Sequence, residues 1–144
     1  MATSGKGTGK DLYFALDNQS GTLKDISAYV RSVDGLPGEV ELQDVTAGGA
    51  SGYSNVPGLE RAEITIECVF DDASDSAYDV VKDFMSDSST RSFEFGPAGN
   101  TSGYAKVSGE CWIRRVNLPA KVVEAIIFTV TLVVDGAITI GTFA

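Results

Sequence analysis

Glu39-Val40-Glu41-Leu42-Gln43 and Ala62-Glu63-Ile64-Thr65-Ile66-Glu67-Cys68-Val69-Phe70 alternate polar and apolar residues, and a long uncharged stretch, Thr46 to Gly58, separates them. Side chains in a strand point to opposite faces in turn, so Ala62, Ile64, Ile66, Cys68 and Phe70 share one face while Glu63, Thr65 and Glu67 share the other. The intervening stretch holds four glycines with Tyr53, Val56 and Pro57. Hairpin loops usually have about two to five residues, and much longer ones tend to be functional or disordered. An uncharged tip carrying an aromatic ring is therefore expected to be a docking arm.

Outward from this stretch, the chain reads mostly as strands. Asp11 to Asp17 is expected to be a strand followed by a turn at Asn18-Gln19-Ser20-Gly21. Asp25 to Val33 fits either a short helix or a strand, and Asp34-Gly35-Leu36-Pro37-Gly38 is a turn. Ser74 to Ser86 is the one helical pattern. At about 100° per residue, Ala77, Tyr78, Val80, Val81, Phe84 and Met85 form a docking arc, with Asp75, Asp79, Asp83 and Asp87 opposite. Asp72 or Ser74 is the expected N-cap. Beyond it, Arg91 to Phe95 alternates with Phe93 and Phe95 on one side. Tyr104 to Val116 turns Ala105, Val107, Cys111 and Ile113 one way and Lys106, Ser108, Glu110, Trp112 and Arg114 the other. Val122 to Val134 is apolar on both faces, as a central or interface strand would be. Asp135-Gly136 signals a tight hairpin back through Ala137 to Ile140. The whole predicts a mainly β chain, a β-sandwich or partial barrel with one flanking helix. The expected organisation is a flexible arm over residues 1–10 and one domain over 11–144.

Composition narrows the function. The 144 residues are 43% hydrophobic, and 20 acids against 11 bases give a net charge of −9. A chain of this length can bury roughly 70% of its unfolded surface. The acidic balance argues against a protein that grips nucleic acid phosphates with clustered Lys and Arg. There is no histidine, which removes imidazole bases and ligands. Gly5-Lys6-Gly7-Thr8-Gly9-Lys10 lacks the first glycine and the final Ser/Thr of a phosphate loop and precedes a strand. Asp71, Asp72, Asp75 and Asp79 do not have the spacing of an EF-hand, and the loop glycine is missing. Cys68 and Cys111 are expected to be free, buried thiols. The first residues show no apolar leader, and Ala125 to Val134 is too short to span a bilayer, so synthesis in the cytosol is expected. Trp112 reads either as an aromatic tucked under a loop or as a subunit contact, where Trp is enriched. No enzyme, cofactor or metal is expected.

Gly21-Thr22-Leu23-Lys24-Asp25-Ile26-Ser27-Ala28-Tyr29-Val30, then Ser32-Val33-Asp34-Gly35-Leu36-Pro37-Gly38-Glu39, resembles the major tail (tail tube) proteins of long-tailed bacteriophages. Asp44-Val45-Thr46-Ala47, Val56-Pro57-Gly58-Leu59-Glu60 and Phe70-Asp71-Asp72 carry the same likeness, which covers about residues 11–96. The resemblance implies a sandwich subunit whose strands join between copies in hexameric rings, which stack into a hollow tube. It implies inter-ring contacts by the loop, through Gly48, Gly49, Gly52, Tyr53, Asn55, Val56 and Pro57. Its implied partners are further copies, a tape-measure protein, tail terminator and tail-tip proteins, and DNA in transit without sequence specificity; no membrane is involved. The implied location is the virion tail, after assembly in the host cytoplasm. Within that frame, Glu39, Glu41, Glu63, Thr65 and Glu67 are expected to line the channel and repel DNA; otherwise they are ordinary outward-facing side chains. Two other readings stand beside this one. The first is a tube subunit of a contractile tail, gene-transfer particle or secretion apparatus; the second is a monomeric β-sandwich that binds a ligand through the loop. A β-barrel enzyme is a weaker third.

Overall fold

A computed structural model, describing residues 8–144, assembles most of the alternating strands into one curled sheet that buries one of its faces. The strands are β1 (Tyr13–Asp17), β2 (Leu23–Asp25), β3 (Val30–Asp34), β4 (Glu39–Asp44), β5 (Asn55–Arg61), β6 (Glu63–Val69), β7 (Arg91–Gly96), β8 (Ala105–Asn117) and β9 (Ile127–Thr142), with a helix α1 (Ala77–Val81) between β6 and β7. Seven strands make the main sheet in the order β2-β1-β7-β8-β9-β6-β3, and β4 with β5 forms a separate two-stranded sheet. The sheet's outermost strands, β2 and β3, are consecutive in the chain and joined only through residues 26–29. Such a link reaches about 17 Å, whereas seven flat strands would be about 29 Å across. The sheet must therefore curl until its two margins approach. The seam between β2 and β3 carries no ladder, and the result is a partial barrel flanked by a helix.

The apolar faces read from the sequence line its core. Ile64, Ile66 and Cys68 are fully buried and Ala62 nearly so, together with Phe14, Leu16, Phe93, Cys111, Phe128, Val130 and Leu132. Phe95 and Phe70 pack against this cluster, while Ala105 lies exposed beyond its edge. β9 lies between β8 and β6, the central position its composition implies. Residues 25–33, ambiguous in sequence, split into the end of β2, a turn that buries Ile26, and β3. Gly35 stands at φ +100° in the turn after β3, and a Cβ there would collide with the Glu63 carbonyl. The expected arm over residues 1–10 lies mostly outside the described residues; Gly9–Asp11 forms a single 3-10 turn.

Four expectations are corrected. The first concerns pairing: β4 does not pair with β6 but with β5, while β6 lies between β9 and β3. Pro57 and Gly58 read as loop signals, yet a two-stranded sheet consists only of edges, where proline is tolerated. Asn55, Val56 and Pro57 therefore belong to a strand, and the connection between β4 and β5 shrinks to residues 45–54. Second, Asp135-Gly136 makes no hairpin. β9 continues through it because β8 is long enough to pair on both sides; Glu110 aligns with Asp135 and Ser108 with Thr139, so the extra residues form a bulge, and Gly136 takes the required φ of +89°.

Third, Val122 and Val123 are not in a strand. Lys121 and Glu124 close a turn (Glu124 N–H to the Lys121 carbonyl, 3.4 Å; side chains 3.7 Å apart) and leave both valines at its corners. Fourth, the helix is shorter than its periodicity. Ser76, not Asp72 or Ser74, caps it, its hydroxyl accepting from Asp79 N–H at 3.2 Å and donating to the Asp71 carbonyl at 2.7 Å. Ala77, Val80 and Val81 are buried and Phe84 is half-buried against the core. The chain leaves α-geometry at Asp83, and the 3-10 turn Phe84–Ser86 swings Met85 outward, 88% exposed.

Arg91 falls on the Phe93 side of its strand, and although charged it is 2% exposed. Its guanidinium grips Asp87 with two bonds (Nε to Oδ2, 2.7 Å; Nη2 to Oδ1, 2.8 Å). Nη1 donates to the Val80 carbonyl at 2.6 Å and the Asp17 carbonyl at 3.1 Å. One side chain thus satisfies a carbonyl orphaned at the helix end and ties α1 to β1 and β7. Asp87 leaves the expected acidic stripe for this pairing, its side chain only 5% exposed.

Candidate functional site

β4 and β5 form an arm that leaves the body beside the first residue of β6. Glu39 pairs with Arg61 at its root (3.0 Å), and Leu42 aligns with Pro57 and Asp44 with Asn55 farther out. Near the tip Val45 N–H donates to the Ser54 carbonyl at 2.9 Å, and Ser54 N–H to the Thr46 hydroxyl at 2.8 Å. Every residue of β4, β5 and their connection is exposed, Tyr53 by 88%, Leu59 by 83% and Leu42 by 61%. Val40, Val45 and Val56 add to this apolar surface. A lone two-stranded hairpin is marginally stable in water, and an apolar surface of this extent marks a contact site. Gly48, Gly49 and Gly52 occupy the tip, where nothing lies within 4 Å of a notional Cβ.

Unpaired strand edges form the second feature. Among the described residues β2 pairs only with β1, and β3 only with β6. Beyond Val134, β9 keeps β8 as its ladder partner, and on the other side the Glu60 carboxylate accepts from Ile138 N–H at 3.1 Å. Val40 and Ile140 line a shallow groove of about 220 Å³ there. Unpaired edges invite other strands unless they are blocked, and Glu60 blocks one amide.

The residues expected to line a channel divide between two sheets. Glu63, Thr65 and Glu67 share the outward face of β6, whereas Glu39 and Glu41 lie on the arm. Glu63 pairs with Arg114 (3.0 Å), Glu67 with Arg31 (3.3 Å) and Glu39 with Arg61. Thr65 aligns with Thr131, and Glu67 with Thr129. The β6–β9 face is thus a row of hydroxyls and locally compensated charges. Trp112 aligns with Val133 and is 38% exposed, partly covered and partly open. Sequence reasoning missed Val122 and Val123 as exposed residues, and only the Lys121/Glu124 spacing hinted at the turn.

Chemistry at the thiols is suppressed. Cys68 and Cys111 are free and buried, and burial pushes both pKa values up to about 12, so neither is a thiolate at neutral pH. Among the described residues no group of acids and cysteines is arranged to hold a metal ion, and no helix is long and apolar enough to cross a membrane.

No protein-family model and no curated protein matches the sequence. Solved structures do match in fold. A chain in the tail of an empty gene transfer agent (GTA) particle with C6 symmetry superposes with a TM-score of 0.73 at 21% identity, covering 95% of this chain and all (100%) of that one. The SPP1 tail tube gives 0.72 at 15% identity, over 96% of this chain and 81% of that one. The sheath-tube complex of the PVC extracellular contractile injection system, in its extended state, gives 0.69 at 12% identity, over 97% and 94%. The chain therefore has the fold seen in these tail and tube structures, and the match spans nearly its whole length.

Proposed function

We propose that this chain is the structural subunit of a hollow tube in a tail-like particle, built from rings of copies that stack through the β4–β5 arm. The observation that carries the reading is the arm itself: a hairpin exposed throughout, with an uncharged tip and exposed apolar side chains, that an isolated subunit has no use for. The full-length fold match to chains of a GTA tail, a phage tail tube and a contractile injection system supports it and favours no one of these machines. Gly48, Gly49, Gly52 and Tyr53 at the tip, with Asn55, Val56 and Pro57 on β5, make the inter-ring contacts. The open edges of β2 and β3 pair with neighbours within a ring, and Trp112 adds to a subunit contact. Ala77, Val80, Val81 and Phe84 hold the helix on the body; Met85 faces outward. The tube forms around a tape-measure protein between terminator and tip proteins, in the host cytoplasm, and conducts DNA from the virion. Sedimentation of the purified protein tests this. A species of six times the subunit mass, matching C6 symmetry, and larger multiples are expected; a monomer at every concentration fits a ligand-binding sandwich instead.

The outward face of β6 lines the channel in this proposal. Because Arg114 and Arg31 stand beside Glu63 and Glu67, the glutamates keep those cations from holding phosphates. Glu63→Gln with Glu67→Gln is expected to leave tubes intact and slow DNA passage, with added salt restoring the rate, since phosphate attraction weakens steeply with ionic strength. Unchanged passage at low salt removes these residues from the channel wall.

A further inference from the structure

We infer that the turn at residues 118–126 is the seat on which the arm of another copy docks, with Tyr53 and Val56 packing against Val122 and Val123. The inference rests on the stacking reading above and adds the receiving surface. Register fixes the geometry. β6 runs from Glu63, beside the arm's root, to Val69; Glu63 aligns with Val133 and Val69 with Ile127. The turn links Asn117 of β8 to Ile127 of β9, so it sits at the end of the sheet opposite the arm, about 20 Å away along the strand.

Val122 and Val123 are 105% and 90% exposed, and Leu118 in the same connection is 41% exposed. Turn corners ordinarily carry Gly, Pro, Asn, Asp or Ser, whose backbone or side-chain chemistry suits the bend. Two β-branched apolar residues there gain nothing within the subunit. Charge selects another copy as the occupant. A subunit of net charge −9 repels its copies, so a self-contact must use neutral ground. The arm from Val45 to Gly58 has no charged side chain, and the turn's Lys121 and Glu124 compensate each other at 3.7 Å. Two neutral apolar patches at opposite ends form a head-to-tail contact, which leaves one of each free and so continues without closing.

The test uses full-length Val122→Asp/Val123→Asp, with Val122→Ser/Val123→Ser as a milder variant. Both valines are solvent-exposed, so melting temperature should match the parent protein. Rings should persist while tube yield, counted by electron microscopy, falls at least tenfold. Mixing the Asp variant with a subunit whose arm tip is removed should give pairs of rings that grow no further, because each supplies the end the other lacks. Tubes from the Asp and Ser variants at the parent yield, or no ring pairs in the mixture, would overturn the seat and leave the stacking reading standing. If the parent protein forms neither rings nor tubes, both fall.

Discussion

Replacing residues 46–53 with Asn-Gly is expected to leave a folded subunit that no longer grows tubes. The change closes Val45 onto Ser54 in the register their 2.9 Å hydrogen bond already sets, and Asn-Gly suits a two-residue hairpin. It removes Tyr53, whose exposed ring is the largest apolar group of the tip. Burying that ring in a neighbour contributes about 2 kcal/mol after the cost of ordering the glycine-rich tip, roughly thirtyfold in one contact. Arms that engage together around a ring compound the loss, because each contact raises the effective concentration of the next. The free subunit should keep its urea midpoint to within about 1 kcal/mol, since the connection packs on nothing and shorter loops change closure entropy little. Turbidity and electron microscopy would read the polymer, and circular dichroism the fold. Undiminished tube growth would remove the arm from the assembly contact.

Arg91→Ala should cost about 3–5 kcal/mol, the usual penalty for stranding one member of a buried ion pair. Asp87 would be left at 5% side-chain exposure without its two charge-assisted bonds, and the carbonyls of Val80 and Asp17 would lose a donor. Much of a small domain's stability, about 5–15 kcal/mol in all, would disappear, and assembly with it. Arg91→Lys keeps the charge but not the planar fork and should fall between. Arg91→Ala/Asp87→Ala should recover part of the loss, because no unpaired charge then remains. Urea unfolding measures all three; a loss under about 1 kcal/mol for Arg91→Ala would show that the pair is not what ties helix to sheet.

The contrast between these sites shows what the sequence could carry. Period-two patterns placed the core of β6 and, apart from Ala105, that of β8 correctly because burial on one face imposes the alternation directly. They could not reveal that β6 pairs with β3 and β9 rather than β4, since alternation states which face is buried and not which neighbour pairs. Pro57-Gly58 and Asp135-Gly136 carry the same local signals as turns; edge position in one case and a long partner strand in the other turned them into strand and bulge. Alternation puts Arg91 on the Phe93 side, but what lets a charge be buried there is Asp87 and carbonyls from β1 and α1, which only the fold brings together. The arm was legible as a long uncharged stretch. The proposed acceptor was not, because Val122-Val123 continues a β-branched run and nothing local says that the run starts in a turn.

The most direct test of the central claim is electron microscopy of the purified protein across a concentration series. Rings at intermediate concentration and striated tubes with a central channel at high concentration are predicted. Single particles of subunit size throughout, from protein that circular dichroism shows to be folded, would contradict it.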